Sequence, residues 1–136
     1  MTDYVLDSFA ITAYIQNEPG GRRVQDLLIE GQENISRLLM TTVNLGEALY
    51  IALRRGGAAS YVQVMNLVAG TPIEVVDADI SLTVTAARIK AVTPIAFGDC
   101  FATALALEHS AIVVTGDPEF ERVAHLVPVE WLPASR

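Results

Sequence analysis

The stretch Tyr4-Val5-Leu6-Asp7-Ser8 places three strand-favouring residues directly before an aspartate, and a helical pattern carried by Phe9, Ile11, Ala13, Tyr14 and Ile15 starts at once. A continuous apolar run that leads straight into a helix indicates a strand buried on both faces, as in a parallel α/β sheet. Such sheets bind ligands outside the carboxyl ends of their strands. Asp7 stands at that end, so the question becomes which other acids join it.

The rest of the chain repeats the alternation. Glu18-Pro19-Gly20-Gly21 is strong turn chemistry and ends the first helix near Asn17. A second helix is expected from Arg22 to Gly31, with Val24, Leu27 and Leu28 on its apolar face. A strand centred on Leu38-Leu39-Met40 follows, then a helix from Val43 to Arg55 that Gly56-Gly57 stops, and another from Ala58 to Ala69. Pro72 to Val76 reads as a third strand and Asp79 to Ala91 as a helix, interrupted by Thr93-Pro94. A small-residue helix runs from Gly98 to His109, and Ala111-Ile112-Val113-Val114-Thr115 is the clearest buried strand in the chain. Gly116-Asp117-Pro118 turns into a short helix lasting to Ala124, and Val127 to Leu132 is a last strand whose Pro128 indicates a sheet edge. This pattern predicts one α/β domain over residues 1–136 with a largely parallel central sheet flanked by helices.

Composition narrows the function classes. The chain is 51% hydrophobic and 18% charged, which argues against disorder. No apolar stretch approaches the roughly 18–20 residues that span a bilayer. The longest, from Ala102 to Val114, is broken by Glu108 and His109. The N-terminus has no basic segment of the signal-peptide kind. The lone Cys100 rules out an internal disulfide and a Cys-rich zinc site, and it reads as a small buried hydrophobe in a cytoplasmic protein. Net charge is −7, which weakens a general nucleic-acid reading, because phosphate affinity comes largely from Lys and Arg.

Four carboxylates stand out, each with a plain alternative. Asp7 ends the first strand and is also a favoured helix cap, a job Ser8 would do as well. Glu47 lies within the third helix, where Val43, Tyr50 and Ile51 make an apolar face. A carboxylate there is costly unless it is paired with a distant cation or bound to a metal. Asp99 opens a helix after Gly98, either as a dipole-stabilising acid or as part of a site crowded by Ala102, Thr103 and Ala106. Asp117 before Pro118 is an ordinary helix start, and Thr115 beside it is placed to orient a carboxylate or bind a phosphate. The set says more than its members. If the first and fourth strands are neighbours, Asp7, Asp99 and Asp117 converge where the strand order switches. Four carboxylates about 6 Å apart repel by roughly 3 kcal/mol per pair at an effective dielectric near 20. With oxygen ligands and no Cys or His at ligand spacing, Mg²⁺ or Mn²⁺ is the natural occupant, able to activate water and stabilise the leaving oxygen of a phosphodiester.

In order, Val5-Leu6-Asp7-Ser8, Thr42-Val43-Asn44-Leu45-Gly46-Glu47, Phe97-Gly98-Asp99 and Val114-Thr115-Gly116-Asp117-Pro118-Glu119-Phe120 resemble the PIN-domain ribonucleases. The closest likeness is to the VapC toxins of toxin–antitoxin pairs, and it covers essentially the whole chain. The resemblance implies a parallel sheet of about five strands with the first central and the fourth beside it. It implies Mg²⁺- or Mn²⁺-dependent endoribonuclease activity on single-stranded or structured RNA. Asp7, Glu47, Asp99 and Asp117 match the family's acidic quartet. Asp7 and Asp99 would be direct ligands and Asp117 direct or through water, while Glu47 would hold a metal-bound water or help deprotonate it. Ser8 and Thr115 match the family's small hydroxyl positions, and Asn44 supports them. A homodimer, silenced by a VapB-type antitoxin whose C-terminal segment covers the acidic site, is implied as well.

The remaining candidates read as structure. His109 and His125 have no metal-ligand partner at helical spacing. Trp131, Phe97 and Phe101 read as core or dimer contacts. Arg22, Arg23, Arg54 and Arg55 read as a solvated face or as contacts to RNA phosphates. Two competing functions are a PIN-like binding protein without catalysis and a receiver-like signalling module. The latter needs an acceptor at Asp77 and a Lys after the fifth strand, and no Lys follows Lys90.

Overall fold

A computed structural model describes residues 1–134. The strands are β1 (Thr2–Leu6), β2 (Ser36–Thr41), β3 (Ile73–Val76), β4 (Ile112–Thr115) and β5 (Val129–Trp131). The helices are α1 (Ser8–Ile15), α2 (Gly21–Gln32), α3 (Thr42–Gly70), α4 (Ile80–Val92) and α5 (Phe97–His109), with a single 3-10 helix over Pro118–Val123. The strands form one sheet in the order β3-β2-β1-β4-β5, and every neighbouring pair is parallel. β1 is therefore central with β4 beside it, as the family resemblance implies, and β5 occupies an edge, as Pro128 indicates.

Alternation along each strand divides the core in two. Val5, Leu39 and Val113 face the side covered by α4 and α5, where they meet Leu82, Ala86, Ile89 and Leu105. Tyr4, Leu6, Leu38, Met40 and Val114 face the side covered by α1, α2 and α3, where they meet Ile11, Val24, Leu27 and Ala48. Both faces of the central strands are buried, which accounts for the unbroken apolar runs in the sequence. Truncating a fully buried residue such as Leu39 to Ala would cost about 2–5 kcal/mol.

Local chemistry sets the boundaries. Asp7, Thr41 and Asp79 cap α1, α3 and α4 by accepting from the backbone N–H groups of Ala10, Asn44 and Leu82. The first helix stops at Ile15, two residues short of the expected end, because Asn17 adopts a φ of 52°. The two helices expected on either side of Gly56-Gly57 are both present: within the α3 span the helical backbone breaks at Gly57, with φ 66° and ψ −154°. β5 is shorter than the expected Val127 to Leu132.

The strand order also bears on the receiver-like alternative. A sheet of that kind runs 2-1-3-4-5, with its third strand in the middle. Here β3 lies at the edge opposite β5, and Asp77 is an exposed residue just beyond it. No helix among the described residues is long and apolar enough to cross a membrane.

Candidate active site

β1 and β4 pair with Leu6 opposite Val114, so both strands deliver the residues that follow to the same place at the carboxyl edge of the sheet. Asp7 is 3% exposed and serves two partners. Its Oδ1 accepts from the backbone N–H of Ala10 at 2.9 Å, and its Oδ2 accepts from the Thr115 hydroxyl at 2.5 Å. Capping and membership of the acidic cluster are thus compatible in one side chain. The Thr115 hydroxyl in turn accepts from the Asp117 backbone N–H at 3.0 Å. Thr115 therefore orients a carboxylate, one of the two roles its position suggests.

Asp99 lies in the first turn of α5 and is 8% exposed. Its Oδ2 is buried and has no hydrogen-bond partner among the described residues. Glu47 reaches the same region from α3. Its Oε1 accepts from Asn44 Nδ2 at 2.9 Å, and the same amide donates to the Gly98 carbonyl at 3.1 Å. Asn44 is itself fixed, because Thr41 Oγ1 donates to its Oδ1 at 2.6 Å. Asn44 is thus a fully buried clamp that joins α3 to the start of α5. The contact is close: a Cβ at position 98 would fall 2.3 Å from Glu47 Oε2. Only glycine leaves that space.

The face of α3 around Glu47 departs from the sequence expectation. Tyr50 is 46% exposed, and the buried residues are Asn44, Ala48 and Ala52. Glu47 sits at the border of that buried strip, half-buried. No ion pair to Glu47 exists among the described residues, so a distant cation does not compensate it.

Asp117 caps the 3-10 helix, its Oδ1 accepting from the Glu119 N–H at 2.9 Å. Asp99, Asp117 and Glu119 each present a carboxylate oxygen within 4.8 Å of the other two. Glu119 is the member that sequence reasoning passed over. It stands in the quoted Asp117-Pro118-Glu119 run, but an acid in the first turn after a cap reads as ordinary dipole chemistry. It is also partly compensated by Arg122 Nη1 at 3.3 Å. The tightest trio thus contains Glu119 where the sequence reading has Asp7. Asp7, Asp99 and Asp117 nevertheless line one cleft of about 210 Å³, together with Ser8, Thr12 and Arg55.

Burial and mutual repulsion leave their mark on protonation. Burial, followed by the charges of Asp117, Asp7, Glu47 and Glu119, pushes the Asp99 carboxyl up to about 8. Burial likewise pushes Asp7 up to about 7, against the lowering effect of the Thr115 and Ala10 hydrogen bonds. Glu47 is raised by burial, partly offset by Asn44, with Asp117 adding to the rise. Carboxylates that hold protons near neutrality for want of a counter-charge are suited to a cation. The donor set is all oxygen, and the partnerless Asp99 Oδ2 supplies a ligand atom with no other use. Those properties fit Mg²⁺ or Mn²⁺.

Of the remaining candidates, Cys100 is buried, and Phe101 is buried against a half-exposed Phe97 with ring centroids 4.9 Å apart. Arg23 is tied to Glu130 and Glu30, and the Arg54 guanidinium lies 5.0 Å from the centre of the Tyr50 ring.

A doubly wound parallel sheet with carboxylates gathered at the switch between β1 and β4 defines the class: an α/β domain with an acidic site. Residues 4–126 match the PIN domain family, and the chain belongs to it. No curated protein matches the chain in sequence. Among solved structures, the fold is similar to VapC20 of Mycobacterium tuberculosis, described as a Sarcin-Ricin loop cleaving toxin (TM-score 0.74, 17% identity, 96% of this chain and 99% of that one). It is similar to VapBC2 from Rickettsia felis bound to a promoter DNA fragment (TM-score 0.73, 14% identity, 97% and 100% covered). DNA-bound VapBC from Salmonella typhimurium is a further neighbour (TM-score 0.71, 22% identity, 96% and 98% covered).

Proposed function

We propose that this chain is a Mg²⁺- or Mn²⁺-dependent endoribonuclease and the toxin of a VapBC-type toxin–antitoxin pair, acting in the cytoplasm. One observation carries the reading: Asp99, whose buried Oδ2 has no partner, stands beside Asp117 and Glu119, shares a cleft with Asp7 and feels the charge of Glu47, and no base pairs with Asp7, Glu47 or Asp99 among the described residues. PIN-family membership and the likeness to VapBC structures support it.

Asp99, Asp117 and Asp7 would hold the ion, with Glu119 as a further oxygen donor. The bound ion would supply water activation and stabilisation of the leaving oxygen. Thr115 fixes the rotamer of Asp7, and Asn44 fixes that of Glu47. Glu47, oriented by Asn44 and raised in proton affinity by burial, would hold a metal-bound water or help deprotonate it. Ser8 and Thr12 offer hydroxyls on the cleft wall for the substrate backbone. A VapB-type antitoxin would cover the cleft, and a homodimer would be the working unit. The expected genomic companion is a short upstream reading frame for a small DNA-binding protein.

The test is RNA cleavage with Mg²⁺ or Mn²⁺ by the wild type and by Asp7→Asn, which keeps the capping oxygen. Cleavage should fall by about 100-fold or more. Equal cleavage by the two proteins would remove the proposal.

A further inference from the structure

Among the described residues, Arg55 is the only basic residue that lines the acidic cleft. It shares that cleft with Asp7, Asp99 and Asp117, yet it forms no ion pair with any carboxylate. Four other bases are committed elsewhere. Arg23 holds Glu30 and Glu130, Arg37 holds Asp3 and Glu74, Arg122 holds Glu119, and Lys90 donates to the Ile95 carbonyl. Among the described residues the Arg55 side chain has one hydrogen-bond partner, a neutral one: its Nη1 donates to Gln16 Oε1 at 3.3 Å. Gln16 is the C-cap of α1, and Arg55 lies two residues before the Gly57 kink of α3. The two helix ends thus hold a guanidinium at the rim with most of its five donors unused.

A cation that stands beside three acids without pairing to them remains available to an anion. The planar guanidinium matches phosphate in a two-pronged geometry. It also offsets the repulsion that a phosphodiester would meet on approaching a chain of net charge −7. We infer that Arg55, steadied by Gln16, is a positioning residue that grips a backbone phosphate of the nucleic-acid substrate next to the acidic cluster. This rests on the ribonuclease reading above and assigns to α3 a substrate contact separate from the metal-holding acids.

The experiment compares wild type with Arg55→Ala, Arg55→Lys and Gln16→Ala, using a fluorescein-labelled single-stranded RNA. Cleavage kinetics in Mn²⁺ should show KM raised about tenfold in Arg55→Ala with kcat within about threefold, and partial recovery in Arg55→Lys. Gln16→Ala should show a smaller rise in KM. Anisotropy in calcium buffer, with the RNA checked to remain intact, should show the same loss of affinity. The slope of log K against log salt should fall by about 1. Calorimetry should show unchanged Mn²⁺ binding in Arg55→Ala, which separates this role from damage to the acids. If the wild type cleaves nothing, the ribonuclease reading fails, and the anisotropy arm still decides Arg55. Equal RNA affinity and equal salt slope in wild type and Arg55→Ala would overturn the inference, as would an absence of RNA binding by either protein.

Discussion

The two ends of the sheet treat acids in opposite ways. Near the starts of β1, β2 and β3, Asp3 and Glu74 flank Arg37, whose Nε lies 2.6 Å from Glu74 Oε2 and whose Nη1 lies 3.5 Å from Asp3 Oδ2. Arg23 similarly joins Glu130 at 2.7 Å and Glu30 at 3.0 Å, and Ser36 donates to the other Glu30 oxygen. Hydrogen bonds and opposite charge hold Glu30 and Glu74 below the usual carboxylate range. Where β1 and β4 end, burial and like charge hold Asp7 and Asp99 well above it. Glu30 and Glu74 are neutralised by a base within the chain, whereas Asp7 and Asp99 pair with no base among the described residues. That contrast separates acids neutralised inside the fold from acids that carry uncompensated charge.

The contrast predicts its own breaking points. The largest effect is on activity: Asp99→Asn should lower Mn²⁺-dependent RNA cleavage by about 100-fold or more, while Glu130→Gln leaves it within about twofold. Similar losses in the two variants, measured side by side, would erase the distinction.

Stability against pH comes next. Unfolded carboxyls release their protons near pH 4. In the metal-free fold Asp7 and Asp99 keep theirs to about 7 and 8. The folded state therefore binds more protons across that window, and stability falls as pH rises from about 4 to about 8. Glu30 and Glu74 have the opposite sign, since their contribution is full above about pH 4.5 and is lost below it. Melting in EDTA should drop by roughly 5 °C or more between pH 5 and pH 8. Mn²⁺ should flatten that slope by raising the pH 8 value most. A metal-free protein that melts higher at pH 8 than at pH 5 would contradict the assignment.

A smaller effect is expected at Gly98→Ala. The added Cβ meets the Glu47 carboxylate, the end of a flexible side chain, so Glu47 should move rather than the helix. Stability should change by no more than about 1 kcal/mol, since Ala is the better helix residue. Cleavage should fall about tenfold, and thermal melts run beside turnover assays separate the two effects. Smallest of all is Arg23→Ala, which removes partly exposed pairs worth about 0.2–1 kcal/mol and should leave activity untouched. Chemical denaturation of that variant sharpens the comparison by measuring what structural pairing contributes.

Much of this was legible in the sequence because strand burial on two faces writes itself as unbroken apolar runs. Val5-Leu6 and Val113-Val114 gave their strands that way, and the acids that follow came with them. Their convergence depended on β1 and β4 being neighbours, which right-handed crossovers permit but do not choose. Side-chain partnerships were out of reach. Nothing in the order of residues says that Asn44 clamps Glu47 to the Gly98 carbonyl, or that Glu119 leans back towards Asp99. The exposed Tyr50 shows why: residues three apart on a helix share a side, but which side faces the core is set by the elements packed against it.

The clamp between Asn44 and Gly98 spans 54 positions of chain. Until the ribosome has made α5 and β4, a nascent polypeptide holds Asp7 and Glu47 with neither Asp99 nor Asp117 to meet them. The acidic cluster of this fold therefore cannot assemble until the last third of the chain has been made.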